Sequence, residues 1–130
     1  MDIRPYAASD RAACLAIFDS NFDAKQRPEF ERFLDQPEGP YFVMEHDGAI
    51  MGCGGYQGAN LVRGMIRRDF QRLGLGRFLL MYRLRKLEGI QMVRLETPQS
   101  AVPFFEKQGF RVVSDCSDGV EMVKKMNVCA

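Results

Sequence analysis

Residues 71–77 read QRLGLGR, and they decide the fold because two glycines stand where a helix begins. The residues that follow predict a helix from Gly74 to about Glu88, since apolar side chains recur there at helical spacing. Two adjacent rows of that helix carry its apolar side chains, namely Leu75, Phe78, Leu79 and Tyr82, and Leu80, Leu84 and Leu87. Each glycine inside a helix costs roughly 1 kcal/mol relative to alanine. The bare backbone of the first turn therefore serves something other than helix formation.

A bound phosphate would explain the bare backbone. The start of a helix exposes unpaired N–H groups with the positive end of the helix dipole behind them, and such an end binds anions. Gly74 and Gly76 remove side chains that would keep a phosphate away from those amides. Arg72 and Arg77 add positive charge beside them. The stretch is thus a candidate phosphate-binding turn.

The basic residues of the chain are concentrated around this turn. Residues 63–94 hold nine Arg or Lys against two acidic residues, a net of +7, whereas the whole chain has a formal net charge of +1. Such asymmetry indicates an anionic partner, which could be a nucleotide phosphate, nucleic acid or an acidic membrane surface. A solvated, arginine-rich helix face explains the charge alone equally well.

The spacing of the glycines separates three kinds of phosphate loop. A Walker A loop needs Gly-Lys-Ser or Gly-Lys-Thr, which is absent. A Rossmann fingerprint needs a third small residue where Leu79 stands, and Glu96, about 20 positions after Gly76, falls inside a predicted strand rather than at its end. The third pattern, Q/R-x-x-G-x-G/A, is filled by Gln71, Gly74 and Gly76.

The composition bounds the class of protein. With 130 residues, of which 46% are hydrophobic and 27% charged, we expect a single domain, residues 1–130, around one core. The four cysteines, Cys14, Cys53, Cys116 and Cys129, form no CxxC pair and there is one histidine, so we expect free thiols and no metal site. There is no signal-peptide pattern and no apolar run of roughly 18 residues. These features predict a cytoplasmic protein rather than a membrane protein.

The order of elements predicts one mixed α/β structure. Asp47-Gly48 is a favoured two-residue turn, so the segments on either side of it form a hairpin. The predicted strands are residues 3–6, 41–46, 49–56, 61–67, 92–97, 110–116 and 120–126, the last two joined by the turn Ser117-Asp118-Gly119. The predicted helices are residues 11–22, with Ser9 and Asp10 as N-cap candidates, 27–35, 74–88 and 98–108.

A second segment, residues 101–110 (AVPFFEKQGF), narrows the choice of fold. Together with residues 71–77 it resembles the GNAT acyltransferase superfamily, in which a Q/R-x-x-G-x-G/A turn is followed about thirty residues later by A-x-x-F-Y-E-K-x-G-F. The opening DIRPY, the HDGAIMGCGG hairpin and the element order agree with that family, so the resemblance covers essentially the whole chain. It implies an α/β (α+β) fold with a mixed sheet of about six or seven strands, about four flanking helices and a cofactor cleft between strands four and five.

The resemblance assigns roles to individual residues. In the family the pantetheine arm of acetyl-CoA lies along the fourth strand, which implies Met65 and Ile66 here. The pyrophosphate would bind the backbone of Arg72, Leu73, Gly74, Leu75, Gly76 and Arg77. The implied reaction is direct transfer of an acetyl group from acetyl-CoA to a primary amine of a small molecule or peptide, by a monomer or homodimer. No metal, nucleic acid or membrane is implied as a partner.

Position 105 departs from the family pattern. The family often has a tyrosine there that protonates the departing thiolate, but Phe105 has no proton to give. Water or another hydroxyl, such as Tyr56 or Tyr82, would have to serve instead. The departure also motivates an alternative, a non-catalytic acyl-CoA-binding or sensing module.

A nucleic-acid-binding domain is a third hypothesis. The chain has the basic residues that such a domain needs, but it has no recognition motif.

Glu96 is the candidate general base. It lies on the fifth predicted strand, where its carboxylate could face the cleft directly or through water, although alternation also allows an exposed strand position. Glu45 and His46, at the end of the second predicted strand, are the other candidates.

Overall fold

Seven strands form one sheet in the computed structural model, which describes residues 1–116 and 118–126, with only the main chain for Cys116. The strands are β1 (Asp2–Pro5), β2 (Tyr41–His46), β3 (Ala49–Gln57), β4 (Asn60–Ile66), β5 (Met92–Thr97), β6 (Arg111–Cys116) and β7 (Gly119–Lys125). Their order is β1-β2-β3-β4-β5-β7-β6, and within the described ranges β4 and β5 are the parallel pair. The predicted mixed sheet is confirmed. Ser117 of the predicted last turn and Cys129 lie outside the described residues.

Four α-helices cover the two faces of the described sheet: α1 (Arg11–Asn21), α2 (Arg27–Asp35), α3 (Leu75–Lys86) and α4 (Val102–Lys107). Helices α1 and α2 pack on one face, where Ile17 and Phe30 meet Val43 and Met65. Helices α3 and α4 pack on the other face, in the clusters that contain Leu79 and Leu80. No helix in the described part of the chain is long and apolar enough to cross a membrane.

The β2–β3 hairpin turns at Asp47-Gly48, as predicted. Asp47 and Gly48 both adopt left-handed backbone conformations, with φ of 50° and 80°. Two consecutive left-handed residues are the requirement of a type I′ turn, whose twist matches that of the two strands. The turn sets the register in which His46 lies opposite Ala49, and a one-residue shift between Met44 and Glu45 then places Val43 opposite Cys53.

Asp10 occupies the N-cap position of α1, as predicted, but its side chain does not bond to the helix. A single 3-10 turn, Ala8–Asp10, precedes the helix, and the Asp10 side chain accepts a hydrogen bond from the Ala7 N–H at 2.9 Å. The guanidinium of Arg4 donates to both oxygens of Asp10, at 2.8 and 2.9 Å, and to Glu45 at 2.7 Å. These hydrogen bonds from Arg4 hold the pKa of Asp10 below its ordinary value. One carboxylate therefore ties β1 to the beginning of α1.

The parallel strands β4 and β5 part soon after they meet. In the described structure their register pair is Asn60 with Arg94, where the Arg94 N–H donates to Ala59 O at 2.9 Å. Further along β4 the register against β3 shifts, so that Arg63 and Gly64 together face one residue of β3, and Arg63 has a φ of 49°. Such a bulge bends its strand. A cleft opens between β4 and β5 beyond it.

The buried row of α3 also differs from the prediction. Phe78, expected on the apolar face, is 51% exposed, whereas Arg83, which is not apolar, is only 5% exposed. The reason lies in the sheet: Gly54 and Gly64 have no side chains to fill the space beneath β3 and β4, and the guanidinium of Arg83 occupies it.

Candidate active site

The turn before α3 forms a concave row of backbone N–H groups. Arg72 and Gly74 are left-handed, with φ of 67° and 83°, and α3 begins at Leu75. The first hydrogen bond of the helix joins the Phe78 N–H to Gly74 O at 3.1 Å. The N–H groups of residues 75–77 therefore have no partner within the helix, and N–H groups at the start of a helix favour an anion.

The two glycines of the turn have different roles. A Cβ on Gly74 would meet none of the described atoms within 4 Å, so glycine is favoured there by the left-handed backbone. A Cβ on Gly76 would lie 3.6 Å from Phe104 Cζ and 3.8 Å from Ile66 Cγ1. Gly76 thus lies where α3, α4 and the end of β4 converge.

Gln71 anchors the turn to β4. Its side-chain Nε2 donates to Ile66 O at 3.0 Å and to Asn21 Oδ1 at 2.6 Å. Asn21, at the end of α1, donates its own Nδ2 to Ile66 O at 2.8 Å. This network joins three elements at one carbonyl oxygen, and the sequence reasoning did not foresee the part of Asn21 in it.

Of the two residues predicted to meet pantetheine, Ile66 directs its main chain to the cleft. The Arg67 N–H donates to Met51 O of β3 at 2.8 Å, so Ile66, one residue earlier, points its N–H and C=O away from β3. Met65 pairs with Cys53 of β3 and its side chain is buried under α1. With the Ile66 carbonyl bound by two side-chain amides, its N–H remains directed to the cleft.

Positive charge surrounds the turn. Arg72 and Arg77 are exposed, and within residues 1–116 and 118–126 neither forms an ion pair, whereas Arg67 binds Asp69 at 2.9 Å. Unpaired guanidinium groups beside a row of N–H groups favour a multiply charged anion.

Glu96 is an exposed residue of β5, between buried Leu95 and Thr97, and it lines a cavity of about 350 Å³ on the side of the sheet covered by α1 and α2. The other residues that line it are Phe18, Gln26, Glu29, Arg63, Thr97, Pro98, Asp118 and Gly119. Three carboxylates thus face the cavity with one guanidinium, that of Arg63, which is 3.4 Å from Glu29 and lies over the ring of Phe33. The lining is acidic overall and suits a cationic molecule.

Glu45 and His46 lie away from this cavity. Glu45 is paired with Arg4, and His46 is exposed at the hairpin, 3.3 Å from Asp47. Both are on β2, which β3 separates from the cleft. Of the three candidate bases, Glu96 is the one that lines the cavity.

The aromatic residues of α4 bring no hydroxyl to the cleft. Phe105 packs against Phe110 at a ring separation of 5.7 Å, and Phe104 is the ring that approaches Gly76. Tyr56 and Tyr82 both pack their rings against Phe42 of β2, and Tyr56 also packs against the buried cluster that contains Leu61 and Leu95.

One hydroxyl does reach the β4 bulge, and the sequence reasoning missed it. Tyr41 donates its hydroxyl to Arg63 O at 2.8 Å. Burial raises the pKa of Tyr41 well above its ordinary value, so the group stays protonated and keeps donating at neutral pH. The position of Tyr41 on a buried strand gave no signal of this contact.

The described residues contain no group of three His, Cys, Asp or Glu side chains that could hold a metal ion. The family model for an acetyltransferase (GNAT) domain matches residues 8–126. The chain belongs to the GNAT acetyltransferase family. It is therefore a GNAT-type N-acetyltransferase, and the resemblance of residues 71–77 and 101–110 to that family is confirmed.

Solved structures share this GNAT fold over nearly their whole length. PH1933 from Pyrococcus horikoshii OT3 is 18% identical, with 98% of this chain and 100% of that chain covered at a TM-score of 0.80. The ribosomal-protein-S18-alanine N-acetyltransferase from Escherichia coli is 21% identical, with coverage of 99% and 96% and a TM-score of 0.80. The PaiA N-acetyltransferase from Thermoplasma acidophilum, solved in complex with coenzyme A, is 16% identical, with coverage of 96% and 98% and a TM-score of 0.74. No curated protein sequence matches the chain.

Proposed function

We propose that this GNAT enzyme transfers the acetyl group of acetyl-CoA directly to a primary amine of a small molecule or peptide. The observation that carries the proposal is the arrangement around β4. The row of N–H groups at residues 75–77 lies at one end of the opening between β4 and β5, and the cavity lined by Glu96 lies at the opposite face of the sheet. A donor and an acceptor could therefore approach the same gap from two sides.

The donor would bind along the turn and β4. The backbone of residues 72–77, with the guanidinium groups of Arg72 and Arg77, would hold the pyrophosphate. The Ile66 N–H, directed to the cleft, would donate to the pantetheine arm, and the side chain of Met65 would support the strand from below. The PaiA N-acetyltransferase from Thermoplasma acidophilum, which shares the fold, was solved in complex with coenzyme A, and this supports acetyl-CoA as the donor.

Glu96 would act as the general base. Acetyl-CoA supplies the acetyl group as a thioester, whose carbonyl carbon an uncharged amine attacks. Glu96 would accept the proton of that amine, directly or through water, from its position on the cavity wall. Phe105 cannot protonate the departing sulfur, so solvent would supply that proton.

The acceptor is an amine because the cavity favours cations. Glu29, Glu96 and Asp118 would attract an ammonium group from solution before it loses its proton to the base. The basic residues of segment 63–94 surround the phosphate-binding turn, so neither nucleic acid nor a membrane is needed to account for them. We also propose that the enzyme works in the reducing cytoplasm, since Cys14 and Cys53 are buried free thiols. The family resemblance implies a monomer or homodimer.

Calorimetric titration with acetyl-CoA and with coenzyme A tests the donor site. We expect one-to-one binding by the natural protein and by Ala16→Glu, which adds the same charge on an exposed position of α1. Gly76→Glu should lose at least about tenfold in affinity, because a carboxylate would meet the pyrophosphate. Equal affinity of all three proteins would rule out the site. Release of free thiol across a panel of primary amines then tests the transfer.

A further inference from the structure

Arg83 is a buried guanidinium without a carboxylate partner. It lies on α3, its Nη1 donates to Gly55 O at 3.2 Å, and its buried Nε has no hydrogen-bond partner among the described residues. Within residues 1–116 and 118–126 no carboxylate pairs with it, and the titratable groups that act on its pKa are the Tyr41 hydroxyl and the Cys53 thiol. Burial lowers the pKa of Arg83 to about 10, so the side chain stays charged at neutral pH.

The position of this charge is set by two glycines. A Cβ on Gly64 would be 2.7 Å from Arg83 Nη2, and one on Gly54 would be 3.2 Å from Nη1. The guanidinium therefore lies directly against the backbone of β3 and β4. Gly64 is itself exposed, and it belongs to the part of β4 that has already separated from β5. The charge lies beneath the floor of the cleft.

A buried charge without a partner destabilises a folded protein, and an apolar side chain of similar length would fill the same space without that cost. The remaining buried side chains of α3 are leucines, so the helix does not otherwise use charge for packing. Because this charge lowers stability and lies at the floor of the cleft, it indicates a role in the reaction.

We propose that Arg83 is an electrostatic residue of the acyl-transfer site, and that its positive charge beneath Gly64 stabilises the negative charge that develops on the coenzyme A sulfur. This inference rests on the proposed function. In the transfer the amine nitrogen bonds to the acetyl carbon, the carbon–sulfur bond breaks, and the sulfur keeps its electron pair. The amine proton passes to Glu96 or water, and solvent later protonates the sulfur, while Arg83 keeps its proton. A fixed charge thus compensates for the missing hydroxyl of Phe105.

The pKa of the thiol of bound coenzyme A measures the effect of this charge, and the measurement needs no acceptor amine. The ultraviolet absorbance of the thiolate, followed against pH in the protein–coenzyme A complex, gives the pKa of the bound thiol. We expect Arg83→Met and Arg83→Gln to raise that pKa by about one unit or more relative to the natural protein, because an opposite charge nearby favours the thiolate. Arg83→Gln removes the charge but can still donate to Gly55 O, so it distinguishes the effect of the charge from the effect of the hydrogen bond. Arg83→Lys should keep most of the effect.

Leu79→Met is the matched control, since Leu79 is buried on the same helix and the exchange conserves volume. It should change neither the pKa of the bound thiol nor the melting temperature by much. Arg83→Met should melt at or above the temperature of the natural protein, and its kcat should fall about tenfold with an unchanged KM for acetyl-CoA. That loss is smaller than the roughly 10²–10³-fold effect of a direct oxyanion donor.

The outcomes separate the two proposals. If calorimetry finds no binding of coenzyme A by the natural protein, both the proposed function and the role of Arg83 are overturned. If coenzyme A binds but its thiol has the same pKa in the natural protein and in Arg83→Gln, Arg83 is only structural and the acyl-transfer proposal stands. A lower melting temperature of Arg83→Met together with an unchanged kcat would lead to the same conclusion.

Discussion

The side-chain amide of Gln71 donates to the main-chain carbonyl oxygen of Ile66 at 3.0 Å. The bond joins the first residue of the Q-x-x-G-x-G turn to the last residue of β4, so the phosphate-binding turn and the strand that would carry pantetheine are held in one arrangement. Asn21 donates to the same oxygen and accepts from Gln71, which adds the end of α1 to this arrangement. The glutamine of the motif thus positions the turn, and in the proposed function the N–H groups after it would bind the anion.

Replacement of Gln71 by alanine should weaken acetyl-CoA binding more than it weakens the fold. Without the side-chain amide the turn must become ordered on binding, and the loss of one or two hydrogen bonds corresponds to about tenfold in affinity. Calorimetry measures the affinity and thermal unfolding measures the stability. Gln57→Ala is the control, because Gln57 also makes a side-chain bond, to Glu38 at 2.7 Å, but at the exposed end of β3. Equal affinity of Gln71→Ala and the control would contradict this role.

Alanine substitutions at the two glycines of the turn should have different effects on stability. Gly74→Ala places a Cβ on a residue with φ of 83°, which should cost about 1 kcal/mol, or roughly 4 °C in melting temperature. In Gly76→Ala the new Cβ lies at ordinary contact distances from its neighbours, and alanine has the higher helix propensity. The melting temperature of this variant should therefore stay equal or rise. Scanning calorimetry of both variants decides the matter. A larger loss of melting temperature for Gly76→Ala than for Gly74→Ala would contradict this, because it would mean that Phe104 and Ile66 leave no room for a Cβ at position 76.

Replacement of Asp10 by asparagine should destabilise the fold in a pH-dependent manner. Hydrogen bonds from Arg4 lower the pKa of Asp10, so its carboxylate contributes stability that is complete above the unfolded value of about 3.9 and is lost as the pH falls through the folded value. We expect Asp10→Asn to lose about 2 kcal/mol near pH 7, with a smaller difference from the natural protein below about pH 4. Urea unfolding at several pH values measures this. A difference that stayed constant down to pH 3 would argue against the ionised contact.

The strands and the hairpin could be predicted because local signals determine them. The bounds of β5 agree with the predicted residues 92–97, and the turn at Asp47-Gly48 fixes the register of β2 and β3 as far as the shift between Met44 and Glu45. The candidate site was harder because its contacts cross the sequence. Gln71 could be assigned to a motif, but its bond to Ile66 depends on which carbonyl groups of β4 face away from β3, and that cannot be read from periodicity.

Arg83 shows why the face of α3 was predicted incorrectly. Helical periodicity assigns apolar residues to the buried side, so Phe78 was expected inside and an arginine outside. The glycines of β3 and β4 reverse this, because only their bare backbone leaves space for a guanidinium. A signal was present in the sequence, since GCGGY at residues 52–56 is rich in glycine for a buried strand. That signal does not specify which side chain fills the space.

Replacement of Glu96 by glutamine should slow acetyl transfer without weakening donor binding. A glutamine keeps the shape of the side chain but cannot accept the amine proton, so kcat should fall by roughly 10²–10⁴-fold if Glu96 is the base. Calorimetry should give an unchanged affinity for acetyl-CoA, because the cavity of Glu96 lies on the face of the sheet covered by α1 and α2. Glu121→Gln is the control, since Glu121 lies directly opposite Glu96 on β7 and binds Arg94 instead. If the two variants lose the same small fraction of kcat, the proton is accepted by another group, and the acidic limb of the pH–rate profile should then persist in Glu96→Gln.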